Sequence, residues 1–210
     1  MPNQNGRVFG LTFLCPILDD ETLQISHDLQ IRNYLATLPT DERSPFALAP
    51  GTHVARLVVM DDVIYVGMPA REEHVKSKYL IFETNTDADL PGYLRALFEA
   101  VPQHIDAVWS HCTGYPGTAD FDKLLAYMKA CQIPTTFFFA AVNDKSLPQT
   151  LLALQAKRAV AEFVVEHQGM PSAQLQREFL DFYQSLQSLP CPAPGGKLPR
   201  RVIKTGGHNE

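Results

Sequence analysis

The stretch "KYLIFETNTD" constrains the fold of this 210-residue chain more than any other. Side chains on a strand alternate between two faces. Leu80, Phe82 and Thr84 therefore share one face, and Tyr79, Ile81, Glu83 and Asn85 share the other. The Leu80/Phe82 face suits a layer of helices. The face with a phenol, an acid and an amide suits an open or lumen-lining surface. Such a strand belongs in an antiparallel sheet with one face covered.

A second strand, "THVARLVVMDD", has Val54, Arg56, Val58 and Met60 on one face and His53, Ala55, Leu57 and Val59 on the other. Pairing Met60 with Tyr79 places Arg56 across from Glu83. Upstream, "GRVFGLTFLCPIL" is a β-rich run cut at Pro16. "DDETLQISHDLQIRNYLATLP" then reads as a helix, with Asp19 or Asp20 as its cap. Downstream, Asp89 caps "LPGYLRALFEAV", with Pro91 tolerated in the first turn. "QHIDAVWSHC" is a short helical piece, and Asp120 opens "FDKLLAYMKACQ". "IPTTFFFAAV" is the most hydrophobic stretch and reads as a fourth, buried strand. A long helix ends at Gly169. Ser172 caps a last helix bearing Leu175, Phe179, Phe182 and Leu186.

Without the extra helices this order is βαββαβ, the ferredoxin-like split unit. The expected class is α+β, a ferredoxin-like antiparallel sheet with extra C-terminal helices. That unit leaves one sheet face open, and a second copy is the natural cover, so a homodimer is expected. The strands "THVARLVVMDD" and "YLIFETNTDADLPGYLRALF" in this order resemble the dimeric α+β barrel superfamily over roughly residues 7–145. The resemblance implies a small-molecule enzyme acting on a hydrophobic organic substrate. The group includes cofactor-free monooxygenases, polyketide-type cyclases and haem-binding branches. The chain has no G-x-x-D-G motif of the dye-decolourising peroxidases. A site without cofactor is therefore expected, with haem held by His53 or His111 as the alternative. A non-catalytic ligand-binding or assembly protein is the other alternative.

Composition narrows the partners. The net charge of −5 calls for no nucleic acid. The apolar run near the N-terminus is stopped by Pro16, too short to span a membrane or serve as a signal. Cys15, Cys112, Cys131 and Cys191 form no C-x-x-C, so reduced thiols in a cytoplasm and no metal site are expected. Residues 1–188 read as the α+β domain. Residues 189–210, "LPCPAPGGKLPRRVIKTGGHNE", read as a basic, loosely docked or flexible tail.

Four residues are the candidates for chemistry. Arg56 and Glu83 form a charged pair that either binds an anion or fills the lumen as a structural ion pair. His53 opens a strand at a sheet edge, where a base or a hydrogen-bonded structural His both fit. His111 lies in "WSHCTGYPG", which also holds Trp109, Cys112 and Tyr115. His111 and Cys112 are sequence neighbours and point apart, so they do not make a nucleophile pair. Tyr79, Asn85 and Tyr115 are the expected substrate contacts. Asn85, Asp87 and Asp89 alternate like calcium ligands but lack the loop's Gly and distal Glu, so a strand-to-helix turn is expected there.

Overall fold

The computed structural model describes residues 3–63, 67–68 and 74–198. The chain divides into two compact units, 1–147 and 148–210. The first holds β1 (Gln4–Asn5), β2 (Val8–Pro16), α1 (His27–Thr37), α2 (Pro45–Leu48), β3 (Thr52–Met60), β4 (Tyr79–Thr86), α3 (Leu90–Ala100), α4 (Pro102–Trp109) and α5 (Phe121–Cys131). The second holds α7 (Ser172–Gln187) and nearly all of α6 (Leu147–Glu166). The class is α+β, with one four-stranded antiparallel sheet in the order β1-β2-β4-β3. Among the described residues no helix is long and apolar enough to cross a membrane.

β4 is the inner strand flanked by both long partners, and its alternation is realised in full. Leu80, Phe82, Thr84 and Thr86 are buried, while the residues between them are half-exposed. Phe82 stacks on Phe13 of β2 at 5.6 Å, meets Phe46 of α2 at 5.9 Å, and takes Trp109 of α4 edge-on at 5.4 Å. Offset and edge-to-face contacts at these distances add to the burial of each ring. Leu11, Phe13 and Cys15 of β2 extend the same face, and Tyr93, Leu94 and Leu97 of α3 close over it.

Tyr93 is buried, so its hydroxyl needs partners. It lies 3.3 Å from Thr52 Oγ1 and 3.2 Å from Thr84 Oγ1. Each threonine donates its one proton to a carbonyl, Thr52 to Ala49 and Thr84 to Val54. The Tyr93 hydroxyl must then donate to one of the two threonines. Burial raises its pKa.

The expected register holds: Arg56 pairs with Glu83 and Met60 with Tyr79, after an irregularity between Thr52 and Val54. Asp89 caps α3 by accepting from the Gly92 N–H at 3.0 Å, and Asp120 caps α5 through the Asp122 and Lys123 N–H groups. Three expectations need correction. α1 starts at His27 rather than near Asp19, because Asp20 accepts from the Thr22 N–H and hydroxyl in a local turn. Ser172 is the first residue of α7, not its cap; Pro171 stands at the cap and no side chain bonds there. The third correction is the largest: 133–142 forms no strand.

Competition for the outer edge of β2 explains that failure. Residues 3–5 fold back on β2 through Gly6, at φ +59°, and pair with Phe9 and Val8. The Gly10 N–H donates to Asn3 O. The later segment touches this edge only at its two ends, where the Ile133 N–H donates to Thr12 O and the Arg7 N–H to Asn143 O. Between those ends the Phe138 ring lies over Gly10; a Cβ there would stand 2.6 Å from the ring. Gly10 pairs with Asn85, so Phe138 crosses the open face of the sheet.

In the second unit Phe163 of α6 stacks on Phe182 of α7 at 4.4 Å. The start of the tail docks on α6: Arg158 donates to Leu198 O at 2.8 Å, and Pro192 is buried. The remaining basic residues of the tail, Arg200, Arg201 and Lys204, lie outside the described residues.

Phe82→Ala should cost about 3–5 kcal/mol, since it removes a fully buried ring from four packed elements. Phe137→Ala should change stability by less than about 0.5 kcal/mol, because that ring is 83% exposed. Urea unfolding of both variants checks the contrast; equal losses would contradict this core.

Candidate functional site

The seven expected site residues do not converge; the structure distributes them over separate places. Arg56 and Glu83 are on the open sheet face. The Arg56 Nε donates to Glu83 Oε2 at 2.8 Å, and its Nη2 also reaches that oxygen. Two-thirds of the Arg56 side chain is exposed, so the pair contributes at most about 1 kcal/mol to stability. Its position is more telling than its strength. A groove of about 330 Å³ runs beside it, between the sheet and the 133–143 segment. Thr12, Asn85 and Thr135 supply its polar side chains, and Phe137 and Phe138 its aromatic wall. A guanidinium among hydroxyls, an amide and rings can hold a flat apolar body with an anionic or carbonyl end. Asn85 lines this groove. Tyr79 stands at the far end of β4, opposite Pro16 and Met60.

His53 is at the end of the sheet where β3 begins and β4 ends. Its Nε2 lies 2.8 Å from Asp87 Oδ1. An ionised carboxylate only accepts, so this nitrogen carries the proton. The other Asp87 oxygen accepts the Leu147 N–H at 2.8 Å. Leu147 is the first residue of α6, where helix N–H groups lack internal partners. Asp87 therefore acts as a remote cap, and His53 holds it in place. A carboxylate–imidazole dyad of this kind can serve a general base, but here its carboxylate is committed to the backbone.

His111 lies at the opposite end. Pro16 pairs with Tyr79 and Thr52 with Thr86, so the two histidines are separated by the length of β4, roughly 20 Å. His111 Nδ1 is 2.9 Å from His27 Nδ1. The ring centroids are 5.2 Å apart, the nitrogen distance plus about one ring radius on each side, so the rings meet head-on. One Nδ1 donates and the other accepts. Burial and the charge of His27 lower the His111 pKa. Nearby, Lys78 pairs with Asp28 at 2.9 Å. Tyr115 is elsewhere again: its hydroxyl donates to Asp106, which also accepts from the Thr118 N–H and hydroxyl and thereby fixes the turn into α5. "WSHCTGYPG" is thus a packed corner, with Trp109 in the core.

Sequence reasoning missed Thr135, Phe137 and Phe138, because their stretch reads as a buried strand. It also left His27 and His104 outside the candidate set. His104 takes the Tyr34 hydroxyl at its Nδ1 and lines an apolar cleft with Phe82, Trp109 and Met128, with space for about one water. One signal for the groove was in the sequence: a glycine inside a strand marks a close approach by another group, and Gly10 does so for Phe138.

A lowered His pKa favours the neutral form in the fold. The unfolded chain then binds more protons between the folded pKa and the ordinary value. This contribution is full above pH about 6.5 and is lost as pH falls through the folded pKa. His111→Asn keeps a hydrogen-bonding group opposite His27 but cannot be charged. Urea midpoints at pH 8 and pH 5.5 should therefore fall less in the variant than in the parent; equal falls would remove His111 as the cause.

Among the described residues no group of three or more His, Cys, Asp or Glu is placed to hold a metal ion. No protein-family model, curated protein or solved structure matches the chain.

Proposed function

We propose that the protein is a homodimer of the ferredoxin-like, dimeric α+β barrel type, and that it binds a small hydrophobic molecule with a polar or anionic end on the open face of its sheet. The groove beside Arg56 is the observation that carries this reading. The antiparallel neighbours β2-β4-β3 support this reading, since a ferredoxin-like unit sets its third strand between its first and second. Residue 132 meets β2 in one antiparallel bridge, Phe13/Gln132, on the edge where such a unit carries its fourth strand. Val54 and Val58 flank Arg56 on the open face and are largely exposed, as are Phe137 and Phe139. A second copy laid across this face would cover all four and roof the groove.

Recognition rather than turnover is what the groove supports. Of the four residues expected to carry chemistry only Arg56 and Glu83 line it, and they face each other. His53 and His111 are bound to Asp87 and His27, at the two ends of the sheet. An enzymatic step would have the Arg–Glu pair to work with, Arg56 steadying developing negative charge and Glu83 accepting a proton. Haem has less support. The interior cleft near His104 has space for about one water, and neither His53 nor His111 lines that cleft or the groove.

Light scattering should give about twice 23.4 kDa. The fluorescent anion 8-anilinonaphthalene-1-sulfonate, which has two aromatic ring systems and a sulfonate, should bind one site per chain. Arg56→Ala and Phe137→Ala should each weaken it about tenfold, as loss of one charged or aromatic contact does. Gly10→Ala should act likewise by displacing Phe138. A monomer whose dye binding is indifferent to all three changes would sink the reading.

A further inference from the structure

Three of the four thiols stand together in the first unit, although they are far apart in sequence. Cys15 is in β2, Cys112 follows α4, and Cys131 is the last residue of α5. Two isolated backbone pairings gather them: Phe13 faces Gln132, and Ile17 faces Cys112, with Cys15 between. Cys15 and Cys112 are buried and Cys131 is half-buried. The Cys15 and Cys131 thiols lie close enough to influence each other's ionisation.

Two buried donors beside these thiols have no acceptor: Trp109 Nε1 and the Tyr127 hydroxyl. Trp109 lies against Cys15, and Tyr127 against Cys112 and Cys131, at contacts that fall short of a hydrogen bond. Interiors rarely leave such donors unpaired, and each one needs a reason. Two of them directed at sulfur fit a site that at some stage holds a thiolate, or an oxygen carried on sulfur. A corner that merely packs would be served as well by Phe at position 127.

The ionisation of the three thiols agrees with this arrangement. The neighbouring Cys15 thiol outweighs burial and lowers the Cys131 pKa. Burial pushes Cys112 up to about 12. Cys131 ends a helix, where the dipole opposes negative charge, so the neighbouring thiol and not the helix favours its thiolate.

We infer that Cys131 and Cys15 form a dithiol that a hydroperoxide oxidises to a disulfide, with Cys131 meeting the oxidant. The Cys131 thiolate attacks the terminal oxygen of the hydroperoxide. An S–O bond forms, the O–O bond breaks, and the alcohol leaves with a proton. The Cys15 sulfur then attacks the Cys131 sulfenic acid. The S–S bond forms, and the hydroxyl leaves as water with the Cys15 proton. Two thiols lose two electrons, and the peroxide is reduced to alcohol and water. A hydroperoxide is the fitting oxidant because Cys131 is only half-exposed and the resolving Cys15 is fully enclosed. Tyr127, beside Cys131, gains its acceptor in the sulfenic oxygen.

The test uses the full chain with Cys191→Ser, which removes the exposed thiol. The protein is treated with one equivalent of hydrogen peroxide, alkylated, and digested without reductant. The result expected is a linked Cys15–Cys131 peptide and the loss of two titratable thiols. Cys131→Ser should abolish the link. Cys15→Ala should leave a Cys131 sulfenic acid that dimedone traps, and Tyr127→Phe should slow oxidation severalfold. If a variant does not fold, the peptide map of the Cys191→Ser chain decides alone. A link through Cys112, an unlinked sulfinic acid at Cys131, or no loss of thiol overturns the inference.

Discussion

The burial of Phe82 against Phe13, Phe46 and Trp109 is the contact on which the first unit depends. It joins two strands, a short helix and α4 at one ring. Because side chains alternate, fixing Phe82 inward also fixes Glu83 outward. That single choice places Glu83 opposite Arg56 and leaves Asn85 on the same surface. The groove on the open face therefore follows from a core contact on the other side of the sheet.

Whether a segment had a rival decided how much of it was legible in the sequence. Where one local signal decided, the residues spoke plainly. The alternation of β3 and β4 carried both faces and the Arg56–Glu83 register, and Asp89 and Asp120 announced two helix starts. Where two segments compete for one place, the pattern of either one alone does not say which wins. "IPTTFFFAAV" has every mark of a buried strand, yet a two-residue strand at Gln4 and Asn5 already occupies the edge it needs. Asp20 looked like a helix cap and was taken by Thr22. The histidine pairings across 34, 70 and 84 residues of sequence, with Asp87, Tyr34 and His27, depend on tertiary placement that no spacing encodes.

The polar residues also show why a candidate set drawn from one sheet can scatter. His53 and Arg56 are three residues apart, but the strand irregularity and the Asp87 carboxylate commit His53 to the end of the sheet and the start of α6. His111 is tied by its backbone to Leu18 and by its ring to His27, at the opposite end. Hydrogen bonds that a buried or half-buried group must make are decided by its nearest neighbours. In this chain those neighbours draw the imidazoles apart and leave the guanidinium facing solvent.

The N-terminal turn through Gly6 has a consequence for the molecule as a whole. Residues 3–5 occupy hydrogen-bonding positions that 133–142 is chemically suited to take, and Asn143 is hydrogen-bonded to Asn5 and Arg7. The two segments are rivals for one edge, and the shorter one holds it. With the first residues gone, the three phenylalanines could zip onto β2, lengthening the sheet by a strand and erasing the groove. Residues 3–5 thereby choose between a sheet with a furnished open face and a wider, smoother one.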